Sequence, residues 1–173
     1  MSKIIESLED MAKKESKVRA VLKRSLSFDP GTYPPAFPYV EPRLSSDDNN
    51  WKRIVYYLIA GLWARHWRES NGTGKNLPFA CGALYGKNDK SASIEKRFIT
   101  LLDADDGQLA YRLRQMLALL KDYPIDFDAL LKDLLSWNHQ DKFVQIRWAR
   151  AFYGTESTID NEPEAIKTKE NHK

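Results

Sequence analysis

The sequence predicts an all-α protein, a helical bundle of about seven to nine helices with a Pro-rich extended segment and a disordered C-terminal tail. Three observations carry that prediction. Apolar residues recur at three- and four-residue spacing in block after block. Asp, Asn and Ser stand in front of those blocks, with Gly or Pro behind them, as helix starts and stops require. No run shows the strict alternation of a convincing strand, and no internal repeat is visible.

Element by element, residues 3–26 read as helical through Ile4, Ile5, Leu8, Met11, Val18, Val21 and Leu22. Five of the eight prolines then fall between Asp29 and Pro42, which rules out a regular helix. The rings of Tyr33, Phe37 and Tyr39 argue that this segment lies extended over the helices and buries them. Asp48 or Asn49 can cap a helix from Trp51 to about Arg68, whose apolar residues make a one-face pattern. The loop Ser70–Asn76 ends it, a short helix around Phe79 to Tyr85 follows, and Gly86 to Lys90 turns the chain.

The rhythm from Ser93 onward is regular. One helix carries Ile94, Phe98, Leu101 and Leu102; the next, capped by Asp105 or Asp106, carries Leu109, Leu113, Met116, Leu117 and Leu120. Pro124 breaks the chain, Asp126 starts a helix bearing Phe127 to Trp137, and a last helix from about Gln140 to Tyr153 stops at Gly154. Residues 1–154 form the helical domain, as one unit or as two lobes of about 1–90 and 91–154. Residues 155–173 are polar and poor in apolar side chains, the composition of a disordered tail.

Composition narrows the function classes. With 42% hydrophobic and 29% charged residues the chain reads as soluble and globular. It carries a net charge of +3; residues 155–173 hold five acids against three lysines, so residues 1–154 carry +5. Such an excess fits a nucleic-acid contact without demanding one. Cys81 stands alone, so no intrachain disulfide and no Cys-based zinc site can form, as suits a reducing cytoplasm. No stretch approaches the roughly 18 apolar residues of a membrane span and the N-terminus does not read as a signal peptide, so a cytoplasmic location is expected.

Candidate catalytic motifs fail on inspection. Gly72-Thr-Gly74-Lys75 lacks the preceding strand, the spacing and the Ser/Thr of a phosphate-binding loop. Asp103-Ala-Asp-Asp-Gly107 places its glycine one residue too early for a calcium loop and is better read as a helix cap. His66, His139 and His172 have no metal-ligand spacing, and His66 fits a hydrogen-bonded core or helix-end histidine. Cys81 reads as a small buried residue. No cofactor, metal or catalytic residue is expected.

What remains are the basic residues. Lys23 and Arg24 follow Leu22; Lys52 and Arg53 sit beside Ile54 and Val55; Arg112 and Arg114 lie off the stripe of Leu113 and Met116; Lys142 and Arg147 flank Phe143, Val144 and Trp148. Each can be a solvated helix face. If several converge, each phosphate contact would release counterions and steepen the salt dependence of binding by about 0.7 on single strands.

Several blocks, read in order, resemble the small subunit of the type I-E CRISPR Cascade complex, the CasB family. They are Val18-Arg-Ala-Val-Leu-Lys-Arg24 leading to Pro35-Ala-Phe-Pro-Tyr-Val-Glu-Pro42, then Leu62-Trp-Ala-Arg-His66, then Ser93-Ile-Glu-Lys-Arg-Phe98 with Leu101 and Leu102. Arg112-Leu-Arg114, the Asp128-to-Trp137 helix and Trp148-Ala-Arg-Ala-Phe-Tyr153 complete the series, over roughly residues 15–154. The resemblance implies a protein without enzymatic activity that pairs with a second copy of itself beside the other Cascade subunits and the guide RNA. It implies a role in steadying the guide–target hybrid and holding the single-stranded displaced DNA. By position it assigns strand contacts to Lys23, Arg24, Lys52, Arg53, Arg112, Arg114 and Lys142, to which the helix pattern adds Arg147. Gln115 stands where many relatives have a second basic residue, and Asp106 lies in a turn where one can occur; both thin the expected charge. Glu95-Lys96-Arg97 matches a family signature and equally fits an ion pair at a helix start. The other class the sequence allows is a helical adaptor that binds only protein.

Overall fold

The computed structural model describes residues 2–67 and 74–154, and in them the chain is all-α. The expected tail, Arg68 and the first half of the Gly72–Lys75 loop lie outside the described residues. Nine helices follow one another among those described: α1 Lys3–Lys14, α2 Lys17–Ser25, α3 Phe37–Val40, α4 Asn50–His66, α5 Leu77–Lys87, α6 Ala92–Leu102, α7 Asp106–Leu119, α8 Phe127–Leu135 and α9 Phe143–Phe152. No helix among the described residues is long and apolar enough to cross a membrane.

Two elements differ from the sequence expectation. The helix expected over 3–26 is broken at Glu15, whose backbone is extended at φ −139° and ψ 113°. Its amide still donates to the Met11 carbonyl at 2.9 Å, so the end of α1 is satisfied, and the chain turns to lay α2 against α4. The Pro-rich segment is not extended. It folds as a 3-10 turn at Pro34–Ala36, the single-turn α3 and a second 3-10 turn at Glu41–Arg43, each with proline in its first two positions. Proline lacks only an N–H that a first turn leaves unpaired, and its fixed φ suits that position, so three short turns succeed where one long helix would not. Tyr33, Phe37 and Tyr39 are half-buried against the core as the composition suggested.

Helix starts follow the sequence closely. The side chains of Asn49, Asp105 and Asp126 accept from the amides of Lys52, Gln108 and Ala129 at 2.8, 3.0 and 2.9 Å. Gly154 takes φ 75° directly after α9, the left-handed stop that glycine adopts without strain.

The centre of the bundle is α4. Instead of one apolar face, it is buried continuously from Tyr57 to Ala64, because α2, α7 and α8 all pack on it. At Gly61 a Cβ would lie 2.6 Å from Leu26 Cδ2, so only glycine lets the end of α2 approach this closely. One hydrophobic cluster runs from Ile4 to Phe152, drawing residues from both halves of the chain. Hydrogen bonds tie the same halves: Trp51 Nε1 donates to the Leu134 carbonyl at 2.9 Å, and the Ser2 amide to Asp128 at 2.6 Å. Trp137 and Trp148 meet edge to face at 5.1 Å, and Trp137 Nε1 donates to the Ala104 carbonyl at 3.1 Å. The C-terminal tryptophans are therefore core.

Candidate nucleic-acid interface

The eight basic residues expected to contact a strand separate into two physical kinds. Lys23 and Arg24 occupy the last turn of α2, where positive charge complements the helix dipole, and both are exposed. Lys142 is exposed in the left-handed conformation at the start of α9. None of the three forms an ion pair among the described residues.

Arg53, Arg114 and Arg147 are engaged within the chain. The Arg53 guanidinium donates to the Gly31 carbonyl at 3.0 Å and pairs with Glu41, lying 4.9 Å from the Tyr57 ring centroid. Glu41 also accepts from the Tyr57 hydroxyl at 2.8 Å. Burial first, and then the Glu41 carboxylate, push the Tyr57 phenol upward from its ordinary pKa. This network fastens both ends of the Pro-rich turns to α4. Arg114 reaches across to the Leu26 carbonyl and satisfies the C-terminus of α2. Arg147 pairs with Asp133, whose other carboxylate oxygen accepts from Trp148 Nε1 at 2.7 Å, so it joins α9 to α8.

Lys52 lies between the two kinds. Its ammonium pairs with Asp48 at 2.7 Å, and that hydrogen bond lowers the Asp48 carboxyl and raises the Lys52 amine from their ordinary values. Both groups remain solvent-accessible, so the pair is weak and the lysine can exchange partners.

Arg112 and Arg114 lie 5.6 and 5.9 Å from the centroid of the exposed Tyr111 ring, but Arg112 lines a separate cleft between α6 and α7. Here the structure brings in two residues that the sequence reading named beside Glu95 but did not count among the strand contacts. Lys96 and Arg97 line the same cleft, together with Ser93, Thr100 and Gln115, and no acid lines it. Glu95 does not pair with them; consecutive helix positions face apart. It accepts instead from the Tyr153 hydroxyl at 2.6 Å and the Tyr85 hydroxyl at 3.4 Å on the opposite side of α6. The hydrogen bond to Glu95 and partial burial raise Tyr153 to about 12. The signal for Lys96 and Arg97 was present as the spacing of Ser93, Lys96, Arg97 and Thr100, the i, i+3, i+4, i+7 stripe of one helix face.

Among the described residues no three of His, Cys, Asp and Glu gather as a metal site. His66 Nε2 meets the Tyr123 carbonyl at 2.6 Å, which fixes the proton on Nε2 at the end of α4. Cys81 is fully buried, and burial pushes its thiol far above the ordinary range.

A second surface feature is apolar. Where α5 packs on α9, a groove of about 400 Å³ opens between Phe79 and Tyr153, which are 39% and 47% exposed. Gly82 lines it, and a Cβ there would lie 2.7 Å from the Phe152 carbonyl oxygen, so glycine lets α5 lie this close to α9.

Fold and surface together define an all-α protein whose polar chemistry is cationic and whose described residues assemble no metal-ligating cluster. Comparison with known proteins makes that class particular. The model of the family CRISPR-associated protein Cse2 matches residues 18–153. A CRISPR-associated protein Cse2 of Thermus thermophilus is 44% identical over 151 residues, 86% of this chain and 85% of that one. The crystal structure of CasB from Thermus thermophilus superposes with a TM-score of 0.79 at 41% identity, over 89% of this chain and 99% of that one. A chain of a CRISPR RNA-guided surveillance complex shares the fold at 22% identity, with a TM-score of 0.70 over 88% of this chain and 94% of that one. The chain belongs to the Cse2 family, the CasB family whose sequence blocks it carries.

Proposed function

We propose that the protein is a non-catalytic subunit of an RNA-guided CRISPR surveillance complex of the Cascade type. It steadies the pairing of guide RNA with target DNA and holds the displaced DNA strand during antiviral defence. The observation that carries this reading is that three of the eight expected strand-contacting residues, Lys23, Arg24 and Lys142, are exposed and form no ion pair among the described residues. Arg112, in its acid-free cleft, joins them. Lys and Arg grip phosphate without reading base sequence, as a subunit serving any guide must. Opening a duplex against an RNA–DNA hybrid is a near-balanced exchange, so a few backbone contacts tip it. Lys52 can join them by leaving Asp48, whereas Arg53, Arg114 and Arg147 shape the surface from within.

The family membership and the surveillance-complex relative support assembly with other Cascade subunits and the guide RNA. The apolar groove at Phe79 and Tyr153 supports a protein contact as well, with another subunit or with a second copy of this chain. That groove is also the observation that favours the second reading, an adaptor that touches protein only.

Titration of single-stranded DNA against the purified chain across a range of salt separates the two readings. The nucleic-acid reading expects binding that weakens steeply with salt. Assembly into the ribonucleoprotein with no salt-dependent strand binding would leave the adaptor.

A further inference from the structure

The α6–α7 cleft is more than one additional basic patch. It encloses about 250 Å³, ample for a phosphate group with its water. Three of its lining side chains are permanently or ordinarily cationic, Lys96, Arg97 and Arg112, and none is acidic. Such a concentration of one charge raises the local potential unless an anion enters. Lys96 and Arg97 form no ion pair among the described residues, unlike Lys52, Arg53 and Arg147. Arg112 forms no ion pair or hydrogen bond among the described residues, and its buried Nε meets no acceptor, so the chain itself does not compensate this guanidinium.

The neutral groups refine the ligand. Thr100 Oγ1 already donates to the Lys96 carbonyl at 2.7 Å, and one Gln115 amide hydrogen goes to the Tyr111 hydroxyl at 2.7 Å. Ser93 and the second Gln115 hydrogen remain as donors beside the three cations. A cleft with three cations, no acid and a fork-shaped guanidinium on each helix suits a tetrahedral oxyanion held bidentately. Gln115, which thins the charge by comparison with a basic residue, here serves as a neutral donor.

We infer that the α6–α7 cleft is a discrete phosphate site, seating one or two backbone phosphates of a nucleic-acid strand between Arg97 and Arg112. This rests on the nucleic-acid reading above and adds to it a defined seat and two residues, Lys96 and Arg97, on an otherwise diffuse cationic surface.

The test compares three full-length proteins by fluorescence anisotropy with labelled oligothymidylate over a range of salt: wild type, Lys96→Gln/Arg97→Gln and Lys23→Gln/Arg24→Gln. Both pairs are exposed, and circular dichroism confirms that the variants fold. The cleft variant is expected to bind about five- to tenfold more weakly at low salt, with a log–log salt slope shallower by about 0.7 to 1.4. Arg112→Gln lowers affinity in the same sense. If Lys23→Gln/Arg24→Gln weakens binding and the cleft variant leaves affinity and slope unchanged, the cleft is overturned and the general reading stands. If wild type binds no strand at any salt, both fall. Inorganic phosphate distinguishes the source of the anion: displacement of the strand by phosphate only in proteins with Lys96 and Arg97 supports the seat. Phosphate binding that depends on those residues with no effect on strand binding makes it a free-anion site and overturns the inference.

Discussion

The N-terminal end of α4 and the facing surfaces of α6 and α7 carry similar residues in opposite states. At α4, Arg53 is surrounded by Glu41, the Gly31 carbonyl and the Tyr57 ring, and its charge is consumed in holding the Pro-rich turns. At α6 and α7, Lys96, Arg97 and Arg112 share a cleft that offers them no acid. A basic residue next to an apolar stripe is thus a fastener or a grip according to what the rest of the chain brings to it. The comparison teaches that charge content alone does not separate a structural cation from one left open to a ligand; the acids and carbonyls opposite it do.

Breaking the fastener should cost the most stability. Arg53→Ala is expected to destabilise the fold by about 2 kcal/mol, through a lost charge-assisted hydrogen bond, a lost carbonyl partner and lost packing on Tyr57. Urea unfolding reads this directly, and strand affinity of the folded variant should be little changed. A variant of native stability that no longer binds DNA would reverse the assignment of Arg53.

Arg114→Ala comes next, at about 1 kcal/mol, because the Leu26 carbonyl at the end of α2 loses its donor but can recruit water. The same denaturation experiment measures it. Lys96→Gln/Arg97→Gln should change stability by no more than about 0.5 kcal/mol while weakening strand binding, the converse of Arg53→Ala. A large loss of stability in that variant would make the α6 cations fasteners too.

The smallest effect concerns the back of α6. Glu95→Gln removes the carboxylate that accepts from Tyr153, so the Tyr153 phenol should return from about 12 toward about 10, as followed by ultraviolet absorbance. The sign follows from the bound proton: the folded pKa is raised, so the stabilisation is complete below the unfolded value and fades as pH rises through the folded one. Near neutrality both states hold the proton, so this stabilisation is present in full and does not vary with pH, and strand binding should be unaffected. Altered binding at neutral pH would tie the two faces of α6 together.

Local physics was legible in the sequence. Asn49, Asp105 and Asp126 cap as written, Gly154 stops α9, and His66 sits hydrogen-bonded at the end of α4. Leu130, Leu131, Leu134, Trp137 and Trp148 proved to be core, whereas Leu135 is exposed. What failed was either too short or too long in range. The break at Glu15 and the proline turns are decisions of one or two residues within an otherwise helical or proline-bearing pattern. The state of each arginine is set from afar: Arg53 meets a carbonyl 22 positions away, and Arg114 one 88 positions away. Periodicity places a side chain on a face and says nothing of what lies opposite.

On the proposed reading, unpaired cations of this chain hold a nucleic-acid strand within the assembled complex. The most direct measurement is nuclease protection of the displaced DNA strand in an RNA-guided complex reconstituted with either wild type or the Lys23→Gln/Arg24→Gln/Lys96→Gln/Arg97→Gln variant. Equal incorporation of the two proteins, with faster digestion of the displaced strand in the variant complex, is the predicted result. Equal incorporation with unchanged protection would contradict the account.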